Sequence, residues 1–182
     1  MQRYAVIGTR HLAQIHRESL KFFNRAIDWT VAQNAVLVTG GAVGADRLAA
    51  ERAAGQKGAV DLVLPWFGYE LSWVEDFVGH YGGLIQTVTL EPTRLYYQHW
   101  MDSVDKYHPA SAGLSRWERL LHARNYGIVE GASAVFALPQ PPERGGTSQG
   151  MRIARGLGIP VFNLSMYEGQ EQFIQLVKGI HT

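Results

Sequence analysis

The chain has 182 residues, a length typical of one domain, and 46% hydrophobic and 18% charged residues, which excludes a disordered or highly charged chain. Its formal charge is +1, so composition gives no support to nucleic-acid binding through bulk electrostatics. Because there is no cysteine, a disulfide scaffold, a thiolate zinc site and a cysteine nucleophile are excluded. The apolar runs are too short for a membrane helix, and the N-terminal residues lack the apolar segment of a signal peptide. We therefore expect a cytoplasmic protein with no membrane contact.

Short apolar runs rich in strand-forming residues alternate with stretches of helical periodicity. The predicted strands are 4–8, 35–39, 60–65, 84–90, 134–139 and 159–164. The predicted helices are 15–27, 48–54, 71–80, 115–130, 150–157 and a C-terminal helix with Phe173, Leu176, Val177 and Ile180 on one face. Strands that are joined by crossover helices form parallel sheets with helices on both faces. The sequence thus predicts an α/β fold of three layers, in which a mostly parallel central sheet is flanked by helices.

One aromatic-rich segment, at about 91–113, has no clear periodicity. A segment of this length is more often an insertion, a lid or a partner surface than an ordinary connection. Its rings can either stack a base or pack the segment onto the core; they belong to Tyr96, Tyr97, His99, Trp100, Tyr107 and His108. We expect a single domain over 1–182 that contains this insertion.

Three loops that follow predicted strands carry candidate ligand-binding residues. The first contains Gly8, Thr9 and Arg10, the second Gly40, Gly41, Gly44 and Asp46, and the third Gly145, Gly146 and Thr147. In a parallel sheet such loops share one edge, and ligands bind there where the strand order reverses. Glycines let backbone amides approach an anion, and a helix that follows adds the positive end of its dipole. The two glycine-rich loops therefore predict a phosphate site, although tight turns also need glycine and neither loop is a dinucleotide fingerprint or a P-loop.

Three polar side chains have alternative roles. Asp46 either stabilises a helix N-terminus or accepts a hydrogen bond from a ribose hydroxyl. Arg124 lies on the predicted apolar, core-facing side of a helix with Trp117 and Leu121, so its guanidinium needs an acidic side chain or a bound anion as partner. Asn125 either contacts a base or ribose or makes an ordinary bond between a helix and a loop. The seven histidines include no zinc-binding pair, so we expect no metal and no other cofactor.

These motifs resemble those of the SLOG superfamily, Rossmann-like domains that include the DNA-processing protein A (DprA) proteins, the lonely guy (LOG) phosphoribohydrolases and many phage-encoded proteins. The resemblance rests on 7–10 (IGTR), 39–46 (TGGAVGAD), 107–109 (YHP), 121–125 (LHARN), 145–147 (GGT), 151–154 (MRIA) and 158–161 (GIPV), in the expected order. It implies a pocket for a nucleotide or nucleotide derivative that is lined by Gly40, Gly41, Gly44, Arg124, Asn125, Gly145, Gly146 and Thr147. By analogy with the family, a homo-oligomer is also expected to be possible.

The chain departs from both characterised branches of that superfamily. LOG enzymes carry a catalytic glutamate three residues after the threonine of P-G-G-x-G-T-x-x-E, and here that position is Gly150. Cleavage of an N-glycosidic bond would therefore need Asp46 or Glu143 as its acid or base. DprA-like binding of single-stranded DNA implies basic residues, and no lysine or arginine run occurs. The main prediction is thus binding of a phosphorylated nucleotide-type molecule; a LOG-like nucleoside monophosphate phosphoribohydrolase and a DprA-like recombination mediator are the alternatives.

Overall fold

A computed structural model of the chain describes residues 1–142 and 145–179. The strands are β1 (Arg3–Gly8), β2 (Val36–Thr39), β3 (Val60–Leu64), β4 (Ile85–Thr89), β5 (Ala134–Leu138) and β6 (Val161–Asn163). The helices are α1 (Arg17–Ala32), α2 (Ala45–Gly55), α3 (Leu71–Tyr81), α4 (Tyr96–Tyr107), α5 (Arg116–Val129), α6 (Gly145–Gly156) and α7 (Tyr167–Val177). None of the helices in these two ranges is both long and apolar enough to cross a bilayer.

The six strands form one sheet in the order β4-β3-β2-β1-β5-β6, and every neighbouring pair is parallel. The chain moves outward from β1 in one direction through β2, β3 and β4, and then returns to the other side of β1 to form β5 and β6. Gly8 is paired with Leu138, so β1 and β5 end level with each other. The predicted three-layer α/β fold is confirmed, and the reversal of strand order lies between β1 and β5.

Successive side chains of the strands point to opposite faces of the sheet and build two cores. In β1, Tyr4 and Val6 pack with the helices α1, α2 and α7, whereas Ala5 and Ile7 pack with α4, α5 and α6. The strands β3 and β5 are nearly continuous apolar runs because both faces of the sheet are covered there, whereas the edge strand β4 is partly exposed.

The aromatic-rich segment is mostly helix α4, which packs against α5 in the second core. Trp100 is buried and lies on the bare backbone of Gly127: a Cβ at that glycine would be 2.2 Å from the indole ring. The indole N–H donates to a carboxylate oxygen of Glu130 at 2.9 Å, and Tyr96 stacks on the same ring. These contacts favour the packing interpretation of the aromatic residues over an open stacking surface.

Two local predictions are wrong. Helix α6 begins at Gly145 rather than at Gly150, because a glycine-rich sequence that is typical of a loop forms its first turn. Trp117 was placed on the buried face of its helix, but 57% of it is exposed. The reason is that residues 116–118, at the start of α5, are all exposed, so the helical spacing of apolar residues continues beyond the end of the core.

Candidate functional site

A cavity of about 630 Å³ lies at the carboxyl edge of the sheet, where the strand order reverses. Its wall comes from the loop after β1, the start of α2, one face of α5 and the first turns of α6. Most of the predicted site residues line it: Gly8, Thr9, Arg10, Asp46, Arg124, Asn125, Gly146 and Thr147. Its volume is in the range of small-molecule binding sites. The structure therefore brings residues that are more than 130 positions apart in the sequence into one site.

Four predicted glycines, Gly40, Gly41, Gly44 and Gly145, are not part of this lining. A Cβ at Gly40 would lie 1.6 Å from the Nη1 of Arg124, so this glycine makes room for the guanidinium. Gly41 faces Trp73 instead of the cavity. Gly44, with φ 98°, lies so close to the loop after β1 that a Cβ would be 2.5 Å from the carbonyl oxygen of Thr9. The glycines of the loop after β2 thus serve close packing around the site.

Two backbone donors at the loop after β2 are used within the protein. The Ala45 N–H donates to the carbonyl oxygen of Thr9 at 3.0 Å, which ties this loop to the one after β1. The Ala42 N–H donates to the carboxylate of Asp46 at 3.4 Å. These two amides are therefore occupied, and the positive end of α2 is already matched by a carboxylate in its first turn.

Arg124 and Asp46 form a buried ion pair on the cavity wall. Their Nη1 and Oδ2 atoms are 3.6 Å apart, and each side chain is 6% exposed. Burial raises the pKa of Asp46, while the charge of Arg124 and the Ala42 N–H act in the opposite direction. The predicted need of Arg124 for a partner is thus met by an acidic side chain. Its Nε nevertheless has no hydrogen-bond acceptor in the part of the chain that the structure describes.

Asn125 joins α5 to α6. Its Nδ2 donates to the carbonyl oxygen of Gly146 at 3.3 Å and to the Oε1 of Gln149 at 3.1 Å. Of the two roles considered for Asn125, contact with a base or ribose and an ordinary structural hydrogen bond, the structure shows the second. It fixes the first turn of α6, so that Gly146 and Thr147 border the cavity. The amides of a first helical turn have no acceptor within their own helix and favour an anion.

The sequence analysis missed His122, which also lines the cavity. Its Nδ1 donates to the amide oxygen of Gln149, a fully buried side chain. Burial lowers the pKa of His122, and this favours the neutral ring. With the proton on Nδ1, the Nε2 is a hydrogen-bond acceptor, and no described residue donates to it. The signal was available, since 118, 122 and 125 recur at helical spacing on one face.

Glu118 is a second missed residue of the lining. It belongs to a capping box: its side chain accepts from the Ser115 N–H at 2.8 Å, and its own N–H donates to the Ser115 hydroxyl. These bonds lower the pKa of Glu118. Gly150, at the position of the LOG glutamate, lines the cavity, whereas Glu143 lies outside the described residues. Within 1–142 and 145–179, no group of three or more His, Asp or Glu side chains is placed to hold a metal ion.

Solved bacterial structures have the same architecture. DNA processing protein A (DprA) from Streptococcus pneumoniae matches 97% of this chain with a TM-score of 0.61 and 18% identity. DprA from Helicobacter pylori, described for its single-stranded DNA binding mode, matches 100% with a TM-score of 0.57 and 18% identity. The molybdenum cofactor binding protein from Rippkaea orientalis matches 98% with a TM-score of 0.54 and 17% identity. The chain shares the Rossmann-like fold of these proteins.

The matched region corresponds to only part of these proteins. The chain spans 56% of the length of the streptococcal protein, 74% of the Helicobacter protein and 85% of the Rippkaea protein. No protein-family profile matches the sequence, and a comparison with curated protein sequences gives no significant match. At 17 to 18% identity the similarity establishes the Rossmann-like fold alone.

Proposed function

We propose that the protein binds a nucleotide or a nucleotide-derived phosphorylated molecule in the cavity between β1 and β5. The observation that carries this proposal is the convergence of Arg10, Arg124 and the first turn of α6 on one cavity of about 630 Å³. Backbone amides and guanidinium groups are the donors that proteins use for phosphate.

The first turn of α6 is the best candidate for the phosphate subsite. Gly146 carries no side chain to cover its amide, and Thr147 adds a hydroxyl beside it. The charge of Arg124 is partly neutralised by Asp46, so the exposed Arg10 supplies the uncompensated positive charge. Its Nη2 donates to the hydroxyl of Tyr69 at 3.4 Å, a neutral partner that leaves the charge available.

The rest of the wall suits a sugar. The Nε2 of the neutral His122 ring and the carboxylate of Glu118 are hydrogen-bond acceptors, and ribose hydroxyls are donors of the matching kind. A nucleotide offers a phosphate to the amides and guanidinium groups of the lining and hydroxyls to these acceptors. Inorganic phosphate alone would leave these acceptors unused.

A glycine substitution tests the phosphate subsite. A Cβ at Gly146 meets its nearest neighbour, the Nδ2 of Asn125, at 3.4 Å, so Gly146→Ala fits without forcing the backbone to move. The methyl group obstructs the first-turn amides, and loss of one hydrogen bond to a charged group costs about 1.5–3 kcal/mol, or roughly 10- to 100-fold in affinity. Titration calorimetry with the four ribonucleoside 5′-monophosphates measures this change.

The matched control is Gly79→Ala in α3, where a Cβ has no neighbour within 4 Å. This variant should bind nucleotides like the wild type. Equal affinity of Gly146→Ala and wild type would contradict the phosphate role of α6. Equal affinity of wild type for a nucleoside and its monophosphate would contradict the proposed function itself.

Phosphoribohydrolase activity is favoured by one observation, the two carboxylates of Asp46 and Glu118 on the cavity wall. Burial raises the pKa of Asp46, which is a property of general acids. Incubation with nucleoside monophosphates, followed by chromatography of the free base, tests this function. A catalytic rate that Asp46→Asn abolishes would support it, and the absence of free base would remove it.

Single-stranded DNA binding is favoured by the structural similarity to DprA. Contacts with several phosphates make affinity fall steeply with salt. Fluorescence anisotropy measures the affinity for a single-stranded oligonucleotide at salt concentrations from about 50 to about 200 mM, and this tests the alternative. A flat salt dependence, or no binding at the lowest salt, would exclude this alternative.

A further inference from the structure

Three aromatic residues form a continuous row beside the cavity, here named the aromatic shelf: Tyr69, Trp66 and Trp117. The rings of Tyr69 and Trp66 are 5.2 Å apart at an interplanar angle of 89°. Those of Trp66 and Trp117 are 5.1 Å apart at 69°. The burial of these residues increases along the row from Trp117, which is 57% exposed, through the half-buried Trp66 to Tyr69, which is 7% exposed. The shelf is therefore anchored at one end and open at the other.

The shelf adjoins the cavity at both of its ends. Tyr69 accepts a hydrogen bond from Arg10, a cavity residue, at 3.4 Å. Trp117, Leu121 and Arg124 recur at helical spacing along one face of α5, and the last two line the cavity. Four residues of helix rise about 6 Å, so Trp117 stands one turn beyond Leu121 at the cavity rim.

The backbone at Trp117 is held in place by the helix cap of α5. The capping box between Ser115 and Glu118 fixes the first turn of α5, in which this residue lies. The guanidinium of Arg116 lies 5.9 Å from the centre of the indole ring. Aromatic side chains combined with arginine are typical of surfaces that stack nucleobases.

The lining of the cavity, as far as the structure describes it, contains no Phe, Tyr or Trp. A nucleotide whose phosphate lies against the first turn of α6 would thus find no extended ring for its base inside the cavity. Trp117, one turn beyond the cavity residue Leu121 on the same face of α5, offers an exposed ring outside this lining. We propose that the aromatic shelf binds the base of the nucleotide by stacking, and this inference rests on the proposed function of the cavity.

The experiment compares two probes that share a phosphoribose. Affinities for adenosine 5′-monophosphate and for ribose 5-phosphate are measured by calorimetry on the wild type, Trp117→Ala and Trp117→Phe. Stacking on an aromatic residue contributes enough that alanine substitution should weaken nucleotide binding roughly 5- to 100-fold. Ribose 5-phosphate has no base, so its affinity should stay the same. Trp117→Phe should restore most of the nucleotide affinity, and Tyr167→Ala, which removes another exposed ring, is the control.

The outcomes separate the two proposals. If wild type binds both probes equally and Trp117→Ala changes neither, the cavity is a phosphoribose site and the shelf is refuted. If Trp117→Ala weakens both probes to the same extent, its effect is structural and the shelf is also refuted. If Trp117→Ala changes only the oligomeric state in sedimentation, the shelf is a protein interface. If wild type binds neither probe, both proposals fall.

Discussion

Replacement of Arg124 by methionine should destabilise the protein in a pH-dependent way. Arg124→Met keeps the volume of an unbranched side chain but leaves Asp46 without the cation that lies 3.6 Å away. At this distance, and at an effective dielectric constant of about 20, the attraction between two unit charges is about 4 to 5 kcal/mol. Removal of one partner of a buried pair typically costs about 3–5 kcal/mol. We expect a loss near 3 kcal/mol at neutral pH, since both side chains are 6% exposed.

The sign of the pH dependence follows from Asp46. Burial already raises its pKa in the folded wild type, and loss of Arg124, the largest opposing influence, raises that pKa further in the variant. Above the folded pKa of the wild type, the wild type holds an ionised, paired carboxylate, while the variant must either protonate Asp46 or bury its charge alone. Below that pKa, the carboxyl group is protonated in both proteins. The stability difference should therefore grow as pH rises and shrink as pH falls, by at most about 1.4 kcal/mol per pH unit.

Urea unfolding at a series of pH values, followed by circular dichroism, measures this difference. Arg124 is the smallest of the influences on the pKa of His122, so the titration of His122 should change little between the two proteins. The double variant Asp46→Asn/Arg124→Met should recover much of the lost stability, because no buried charge remains unpaired. A penalty that is the same at every pH, or a double variant that is less stable than Arg124→Met, would refute the ion pair as the cause.

Two glycine substitutions test close packing. Gly127→Ala places a methyl group 2.2 Å from the indole of Trp100, so it should destabilise the protein by about 1–3 kcal/mol in urea unfolding, whereas the exposed helical Gly79→Ala should not. At Gly44, a substitution to alanine meets both a positive φ and a close contact, since the methyl group would lie 2.5 Å from the carbonyl oxygen of Thr9. Gly68→Ala is the control for backbone strain alone, because Gly68 has a φ of 85° and a Cβ there has no neighbour within 4 Å. Gly44→Ala should cost at least about 1 kcal/mol more than Gly68→Ala and should weaken nucleotide binding. If a variant and its control lost the same free energy of unfolding, the close packing at that glycine would be contradicted.

The fold could be predicted because its signals are local. Most of the strands are apolar runs of the type found in sheets that are covered on both faces, the edge strand β4 being the exception, and helical periodicity separates the runs. Parallel pairing then follows from the length of the connections. The start of α6 could not be predicted in this way, because Gly145 and Gly146 have poor helix propensity. In a first turn that cost is partly offset, since the amides there need no acceptor within the helix.

The site was only partly predictable because it depends on partners that are distant in the sequence. Burial of Arg124 follows from helical spacing, but the choice between an acidic side chain and a bound anion depends on where Asp46 lies in space. The exposure of Trp117 likewise depends on its position in the folded chain and not on its spacing in the sequence. Periodicity assigns it to a face of α5, but only the end of the core decides whether that face is covered.

The two glycine-rich segments show why glycine content alone does not identify a ligand site. Both are glycine-rich segments that lead from a strand into a helix, and they differ in what occupies the place of the missing side chain. At Gly40 and Gly44 that place is filled by the guanidinium of Arg124 and the backbone of the loop after β1. At Gly146 a Cβ would meet only Asn125, at 3.4 Å, and the residue borders the cavity. The first segment therefore shapes the site, and the second is the one that is open to a phosphate.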